Sequence, residues 1–114
     1  MRGREGDRAA VADMQRYAAD ALAHTARGRG SMDDQVLLRA VLWELAIIGE
    51  AANRTSKVLR DAHPEVRWAQ IVAQRNILVH AYDEVNVDRL WDAVDALPQL
   101  QSHLGAILEE LGEP

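Results

Sequence analysis

The chain has no cysteine, only three prolines and few aromatic residues among its 114 positions. The absence of cysteine excludes disulfide bonds, thiolate metal sites and cysteine nucleophiles together. No apolar run approaches the length of a membrane span, and the first residues, MRGREGDR, lack the hydrophobic segment of a signal peptide. We therefore expect a soluble, cytoplasmic protein.

Length and composition fit one globular domain covering residues 1–114. Hydrophobic residues make up 48% of the chain and charged residues 27%, which is an ordinary balance for a folded protein. The formal net charge of −5 is unevenly distributed, because eight acidic residues face only Arg89 from Asp83 to the end. Such an acidic segment repels nucleic acid and could suit a basic partner. Any contact with nucleic acid should therefore use a local cationic cluster.

Apolar residues recur at the three- and four-residue spacing of amphipathic helices, without the alternation typical of strands. The pattern predicts an all-α fold, an up-and-down bundle of four main helices. The first helix should cover about residues 7–26 and end in the glycine-rich segment RGRG. Ser31 and Asp34 resemble a capping box for a second helix that continues to about residue 61.

The remaining two helices have their own start signals. Pro64 can open the third helix, which should continue through residues 75–82. Asn86 can cap a fourth helix that runs to about residue 111, with a kink expected at Pro98.

The second helix has two apolar rows on nearly opposite sides. Its main row should pack against the other helices and consists of Leu38, Val41, Leu42, Leu45, Ile48 and Ala52. The second row consists of Val36, Ala40, Trp43 and Ile47. Because one bundle helix buries only one broad face within its own chain, the second row indicates a homodimer interface. The alternative is that Trp43 lies beneath the first helix.

Residues 75–82 read RNILVHAY and place a cation within an apolar stripe. On a continuous helix, Arg75 and Tyr82 project near the middle of that stripe. A guanidinium is costly to bury without an anion, so the stripe should face a carboxylate or a substrate phosphate. Glu50, at the edge of the second apolar row, could supply that carboxylate in a purely structural ion pair.

His80 adds a titratable group to this segment. On a continuous helix it falls about 140° from Arg75, and Asn76, one turn earlier, could orient its ring. A lone histidine is commonly structural or on the surface. With Arg75 and Tyr82, however, it forms a group suited to phosphate chemistry: a fixed cation, a proton carrier near neutral pH and a phenol. The four histidines, His24, His63, His80 and His103, show no clustered metal-ligand spacing.

The run from Arg75 to Tyr82 matches the R-x4-H-x-Y signature of the HepT-like branch of the HEPN superfamily, the small all-helical ribonuclease toxins. Three further segments resemble that branch in the same order: IGEAANR at 48–54, HPEVRW at 63–68 and VDRLWDAV at 87–94. The first helix and its RGRG segment match least distinctly. The resemblance therefore covers most of the chain.

This resemblance implies a metal-independent endoribonuclease that needs no cofactor. The substrate's own 2′-hydroxyl would attack the adjacent phosphate and leave a 2′,3′-cyclic phosphate and a 5′-hydroxyl. His80 would act as general acid or base, and Arg75 would stabilise the transition state with support from Asn76. The family also implies a homodimer with the cleft between two copies of the motif.

The resemblance further implies a partner and a form of regulation. HepT-like toxins pair with a small nucleotidyltransferase (MntA-like) antitoxin that adds AMP to the motif tyrosine, here Tyr82. A different function remains open, in which the chain is a non-catalytic, nucleotide-binding companion of such a nucleotidyltransferase. The acidic net charge and the scarcity of aromatic residues for base stacking favour that alternative. The intact motif favours the ribonuclease.

Overall fold

The computed structural model describes residues 3–80 and 84–112, apart from the side chains of Arg4, Arg75 and residues 77–80. Within these residues the fold is all-α except for one two-stranded ladder. Its elements in chain order are α1 Arg4–His24, a 3-10 turn Arg29–Asp33, α2 Gln35–Asn53, α3 Lys57–Ala62, α4 Trp68–Leu78, β1 Val79–His80, β2 Glu84–Val85 and α5 Val87–Leu111. The predicted all-α bundle is confirmed.

The start of α2 differs from the predicted capping box. Asp34 is itself the N-cap, and its carboxylate accepts hydrogen bonds from the backbone N–H groups of Val36 and Leu37. The Ser31 hydroxyl instead donates to the Gly28 carbonyl within the preceding turn. The RGRG segment is also tied to α5, because the Arg29 guanidinium binds the Asp88 carboxylate.

The prediction that the second helix continues to about residue 61 is wrong. The helix ends at Asn53, and the Thr55 hydroxyl donates back to the Ala52 carbonyl at 2.6 Å. Ser56 then caps α3 by accepting from the Leu59 N–H. The buried carboxylate of Asp7 accepts from both the N–H and the hydroxyl of Ser56, at 2.7 and 2.6 Å. Serine and threonine thus compete locally for the backbone hydrogen bonds that a continuous helix would use.

The third predicted helix begins later than expected. Pro64 lies in a turn, where the Val66 N–H donates to the His63 carbonyl, and α4 starts only at Trp68. The Trp68 indole N–H also donates to the His63 carbonyl, which holds the turn against the helix start. Asn86 caps α5 as predicted by accepting from the Arg89 N–H, and α5 continues through Pro98 to Leu111.

The core lies between α1, α2 and α5, with Trp68 of α4 at its edge. The main row of α2 is buried as predicted, except that Leu42 is half-buried. The second row faces outwards: Val36 is 76% exposed and Trp43 62% exposed, whereas Ala40 and Ile47 are half-buried. The alternative that Trp43 lies beneath the first helix is therefore wrong.

Candidate functional site

The helix that carries the first half of the motif packs closely on α2. Gly49 is buried, and a Cβ atom at its position would lie 2.8 Å from the backbone carbonyl oxygen of Ile71. Real side chains do not approach a carbonyl so closely, so α4 can lie this near to α2 only because residue 49 is glycine. The segment IGEAANR thus contributes a backbone contact that its sequence pattern alone did not explain.

A side-chain hydrogen bond fixes the same pair of helices one turn further along α4. The Gln74 amide donates from Nε2 to the Leu45 carbonyl oxygen at 2.9 Å, in a half-buried position. Because Gly49 meets Ile71 and Leu45 meets Gln74, the two helices run antiparallel in a defined register. The residue after Gln74 is Arg75, so the register of α4 on α2 also sets where Arg75 stands along the bundle.

The motif itself crosses from a helix into a strand, and the prediction of one continuous helix through residues 75–82 is wrong. Arg75 and Asn76 lie in α4, which ends at Leu78. Val79 and His80 form β1, which pairs antiparallel with β2 so that His80 is opposite Glu84 and Val79 is opposite Val85. The β-branched valines on both strands favour this extended pairing over another helical turn.

The change of conformation alters the geometry inferred for His80. A residue in a strand does not lie at 100° per residue from those in the preceding helix, so neither the 140° separation from Arg75 nor the one-turn relation to Asn76 applies. Asn76 is exposed. The side chains of Arg75 and His80 are not among those described, and Tyr82 lies outside the described residues. Their catalytic and acceptor roles therefore stay predictions.

Glu50 follows the glycine that contacts α4. Its side chain is exposed on α2, so a pair with Arg75 would lie at the surface and not inside the bundle. The contact between Glu50 and Arg75 stays a prediction.

An ionisable pair that sequence reasoning missed, between the partly exposed His24 and the buried Glu44, joins α1 to α2. The Nδ1 atom of His24 lies 2.9 and 2.8 Å from the two carboxylate oxygens of Glu44. Only 7% of the Glu44 side chain is exposed, and this burial raises the pKa of its carboxyl group, although the hydrogen bond from His24 acts in the opposite direction. The signal was present in the sequence, because Glu44 lies three residues after Val41 on the buried side of the helix.

The described residues also bear on two other kinds of site, a metal centre and a membrane span. No group of three or more histidine, aspartate or glutamate side chains in residues 3–80 and 84–112 is arranged to hold a metal ion. None of the described helices combines the length and apolarity needed to cross a membrane.

The fold is a small helical bundle, and the R-x4-H-x-Y sequence begins with Arg75 in the last turns of α4 and continues to His80 in β1. The family model for Ribonuclease HepT-like proteins matches residues 10–107, and the chain belongs to this family. The match extends from α1 nearly to the end of α5 and so includes the whole motif.

Curated relatives agree with the family match. The chain is similar to a protein of Caldanaerobacter subterraneus subsp. tengcongensis named as a candidate RNase, with 36% identity over 78 residues, which are 68% of this chain and 70% of the relative. It is also similar to a protein of Thermococcus cleftensis named as a candidate ribonuclease HepT, with 38% identity over 54% of this chain and 57% of the relative. No solved structure matches the chain at a comparable level of significance.

The contact between Gly49 and α4 predicts a specific effect of adding one methyl group. Gly49→Ala should lower the free energy of unfolding, because overpacking typically costs about 1 to 3 kcal/mol, more than the gain of up to about 1 kcal/mol in helix propensity. Gly105→Ala is the matched control: its Cβ would lie 3.7 Å from the Gln15 amide nitrogen, an ordinary van der Waals distance, so stability should be unchanged or increased. Urea unfolding of both variants measures the difference. Equal stability of the two variants would contradict the close approach.

Proposed function

We propose that the protein is a metal-independent endoribonuclease and the toxin of a toxin–antitoxin module. The observation that carries this proposal is the match to Ribonuclease HepT-like proteins over residues 10–107, within which Arg75, Asn76, His80 and Tyr82 occur at the spacing of the motif. The names of the relatives support the same activity.

The proposed reaction is an internal transesterification. The 2′-oxygen of the substrate loses its proton and forms a bond to the adjacent phosphorus, while the bond from phosphorus to the 5′-oxygen breaks and that oxygen takes up a proton. The products are a 2′,3′-cyclic phosphate and a 5′-hydroxyl. His80 moves a proton in this scheme, because imidazole exchanges protons near neutral pH. Arg75 binds the phosphoryl oxygens and stabilises their charge in the transition state, with Asn76 as a supporting polar group.

The packing of α4 suits such a role. A phosphate-binding cation must be held in place before the substrate arrives, since each loss of position lowers the rate. Gly49 and Gln74 fix the helical turns that lead into Arg75. His80 follows on a short strand whose backbone is paired with β2 and is therefore also restrained.

The active form in this proposal is a homodimer. Trp43 and Val36 are large apolar side chains exposed on one face of α2, with Ala40 and Ile47 beside them. An exposed apolar row of this kind is typical of a protein interface. A two-fold pair through this face would bury the row and bring the two copies of the motif to a shared cleft.

Regulation is the last part of the proposal. A nucleotidyltransferase antitoxin in the same cytoplasm would transfer AMP from ATP to Tyr82: the phenolic oxygen loses its proton and bonds to the α-phosphorus, while the bond from that phosphorus to the departing pyrophosphate breaks. The added group is bulky and carries a negative charge two residues from His80, so it would exclude an RNA phosphate by repulsion and by volume.

His80→Ala should abolish RNA cleavage without unfolding the protein. A positioned proton carrier contributes roughly 10²- to 10⁴-fold, so we expect the rate to fall by at least about 100-fold. The measurement is cleavage of total RNA by the purified protein in EDTA, with growth of a bacterial host during expression as the second readout. His24→Gln is the control, because it removes an imidazole from α1 but keeps a hydrogen-bond donor for Glu44.

The outcomes separate the ribonuclease from its alternative. Chelator-resistant cleavage and growth arrest by the wild type and His24→Gln, but not by His80→Ala, would establish the proposed activity. If all three proteins fold, none cleaves RNA and none arrests growth, the non-catalytic companion of a nucleotidyltransferase becomes the better description.

Tyr82→Phe should separate cleavage from regulation. The variant lacks the acceptor hydroxyl but keeps the ring, so it should still cleave RNA and should escape inhibition by the antitoxin. Intact-mass spectrometry after incubation with ATP and the nucleotidyltransferase should show one added AMP on the wild type and none on Tyr82→Phe, with Tyr17→Phe as the control that is still modified. Modification of Tyr82→Phe would show that the acceptor lies elsewhere.

Trp43→Glu should dissociate the dimer. A carboxylate at the centre of an apolar interface is costly to desolvate without a partner, whereas the same change is tolerated on an exposed monomer surface. Sedimentation velocity at micromolar concentration should show a dimer for the wild type and a monomer for the variant, with reduced cleavage. Val58→Glu is the control, because Val58 is also exposed (78%) but lies on α3 outside the row. A wild-type protein that sediments as a monomer would remove the dimer from the proposal.

A further inference from the structure

An elongated groove lies along the seam between α4 and α5, and Ile48 of α2 also lines it. Its volume is about 540 Å³, which is within the range of ligand sites in proteins. Along α5 it is lined from Arg89 to His103, a distance of about 20 Å at the helical rise per residue. A groove of this length fits an extended chain better than one small molecule.

The groove has an apolar floor and a polar rim. Ile71 and Leu97 belong to the floor, and Leu97 is buried in the core. The exposed amides of Gln70 on α4 and Gln99 on α5 stand on opposite walls. Each glutamine amide both donates and accepts hydrogen bonds, as the edges of nucleobases do.

Two guanidinium groups of the groove have no protein partner among the described residues. Arg67 lines one end and Arg89 the other, and both are exposed. Other arginines of the chain are engaged: Arg29 binds Asp88, Arg54 binds Asp13 and Arg60 donates to the Thr55 carbonyl. Arg67 and Arg89 are therefore available for an external anion.

We propose that this groove binds a single-stranded segment of the RNA substrate next to the phosphate that is cut. The inference rests on the proposed ribonuclease function and adds a binding surface to it. Arg67 and Arg89 each contact the phosphate backbone or stack on a base with the planar guanidinium, and the glutamine amides contact base edges.

The connection of the groove to the motif supports this assignment. Gln74 lines the groove and immediately precedes Arg75. Arg89 stands in the first turn of α5, which follows directly from β2, the strand paired with His80. One end of the groove therefore lies near the elements that carry the motif, and the groove extends from there along α4. RNA whose phosphate is held at the motif could continue into the groove in this direction.

The local charge also distinguishes the groove within an acidic protein. Two carboxylates, Glu65 and Asp92, line it together with the two arginines, so its formal charge is balanced where the chain as a whole carries −5. The Nδ1 atom of His63 lies 3.2 Å from the Glu65 carboxylate, within hydrogen-bonding distance. Since no phenylalanine, tyrosine or tryptophan is among the described residues that line the groove, phosphate contacts should supply most of its affinity, and binding should depend strongly on salt.

The test uses the folded wild-type protein and a 2′-O-methyl RNA oligonucleotide of about ten nucleotides. This probe keeps the phosphates and bases, but it lacks the attacking hydroxyl and cannot be cut by the proposed reaction. Fluorescence anisotropy gives its affinity at several salt concentrations for the wild type, Arg67→Ala, Arg89→Ala and the double variant. Arg16→Ala is the matched control, since it removes an exposed guanidinium from α1, outside the groove.

Each groove variant should weaken binding and lower the slope of log K against log salt by about 0.7, the value for one lost phosphate contact on a single strand. Arg16→Ala should leave both quantities unchanged. A steric variant provides an independent arm: Ala96→Trp fills the groove from an exposed position on α5 and should weaken binding, whereas Ala19→Trp on α1 should not. Thermal melting confirms that each variant is folded.

Failure of the groove and failure of the ribonuclease give different results. If the wild type cleaves RNA in a His80-dependent manner but Arg67→Ala, Arg89→Ala and Ala96→Trp bind the probe like their controls, the groove is not an RNA site and the proposed function stands. If the wild type neither binds the probe nor cleaves RNA, the proposed function and the groove assignment both fail. Weaker binding by the three groove variants, with unchanged controls, establishes the groove.

Discussion

The close approach of α4 to α2 is the constraint on which the rest of the site depends. Gly49 has no side chain where any other residue would meet the Ile71 carbonyl oxygen, so two helix backbones can lie nearly in contact. One turn further along α4, the Gln74 amide binds a carbonyl of α2 and prevents the helices from sliding along one another. A glycine and a glutamine with no chemistry of their own therefore determine where the turn that bears Arg75 stands.

The same constraint explains why the space between α4 and α5 stays open. Because α4 is held by α2, it does not need an equally tight contact with α5, and the space between α4 and α5 remains open as the groove from Arg89 to His103. Trp43 and Val36 of α2 line no part of this groove and stay exposed elsewhere on the bundle.

Helical periodicity predicted the bundle, and local hydrogen bonding decided where the predictions failed. The buried row of α2, the exposed Trp43 and the cap at Asn86 follow directly from spacing and residue type. The break after Asn53 does not follow from spacing. It depends on the buried carboxylate of Asp7, which binds Ser56 across 49 residues of sequence. The short ladder of β1 and β2 was missed for a related reason: VHAY continues an apolar pattern, but pairing with Glu84 and Val85 overrides helix propensity. The segment IGEAANR, which contains Gly49, was recognised from the sequence. The role of Gly49 became clear only when the structure showed the Ile71 carbonyl oxygen beside it.

The end of α4 at Leu78 changes how the motif should be understood. If residues 75–82 formed one helix, Arg75 and His80 would keep a fixed angular relation, and any movement of one would move the other. With His80 on a two-residue strand, its position depends on the pairing with Glu84, whereas that of Arg75 depends on the packing of α4 against α2. The backbone positions of Arg75 and His80, the proposed phosphate-binding cation and proton carrier, are thus supported by different parts of the fold. A phosphate bound by both Arg75 and His80 would link α4 to the β1–β2 ladder. Substrate binding should therefore stabilise the position of the ladder relative to the helical bundle.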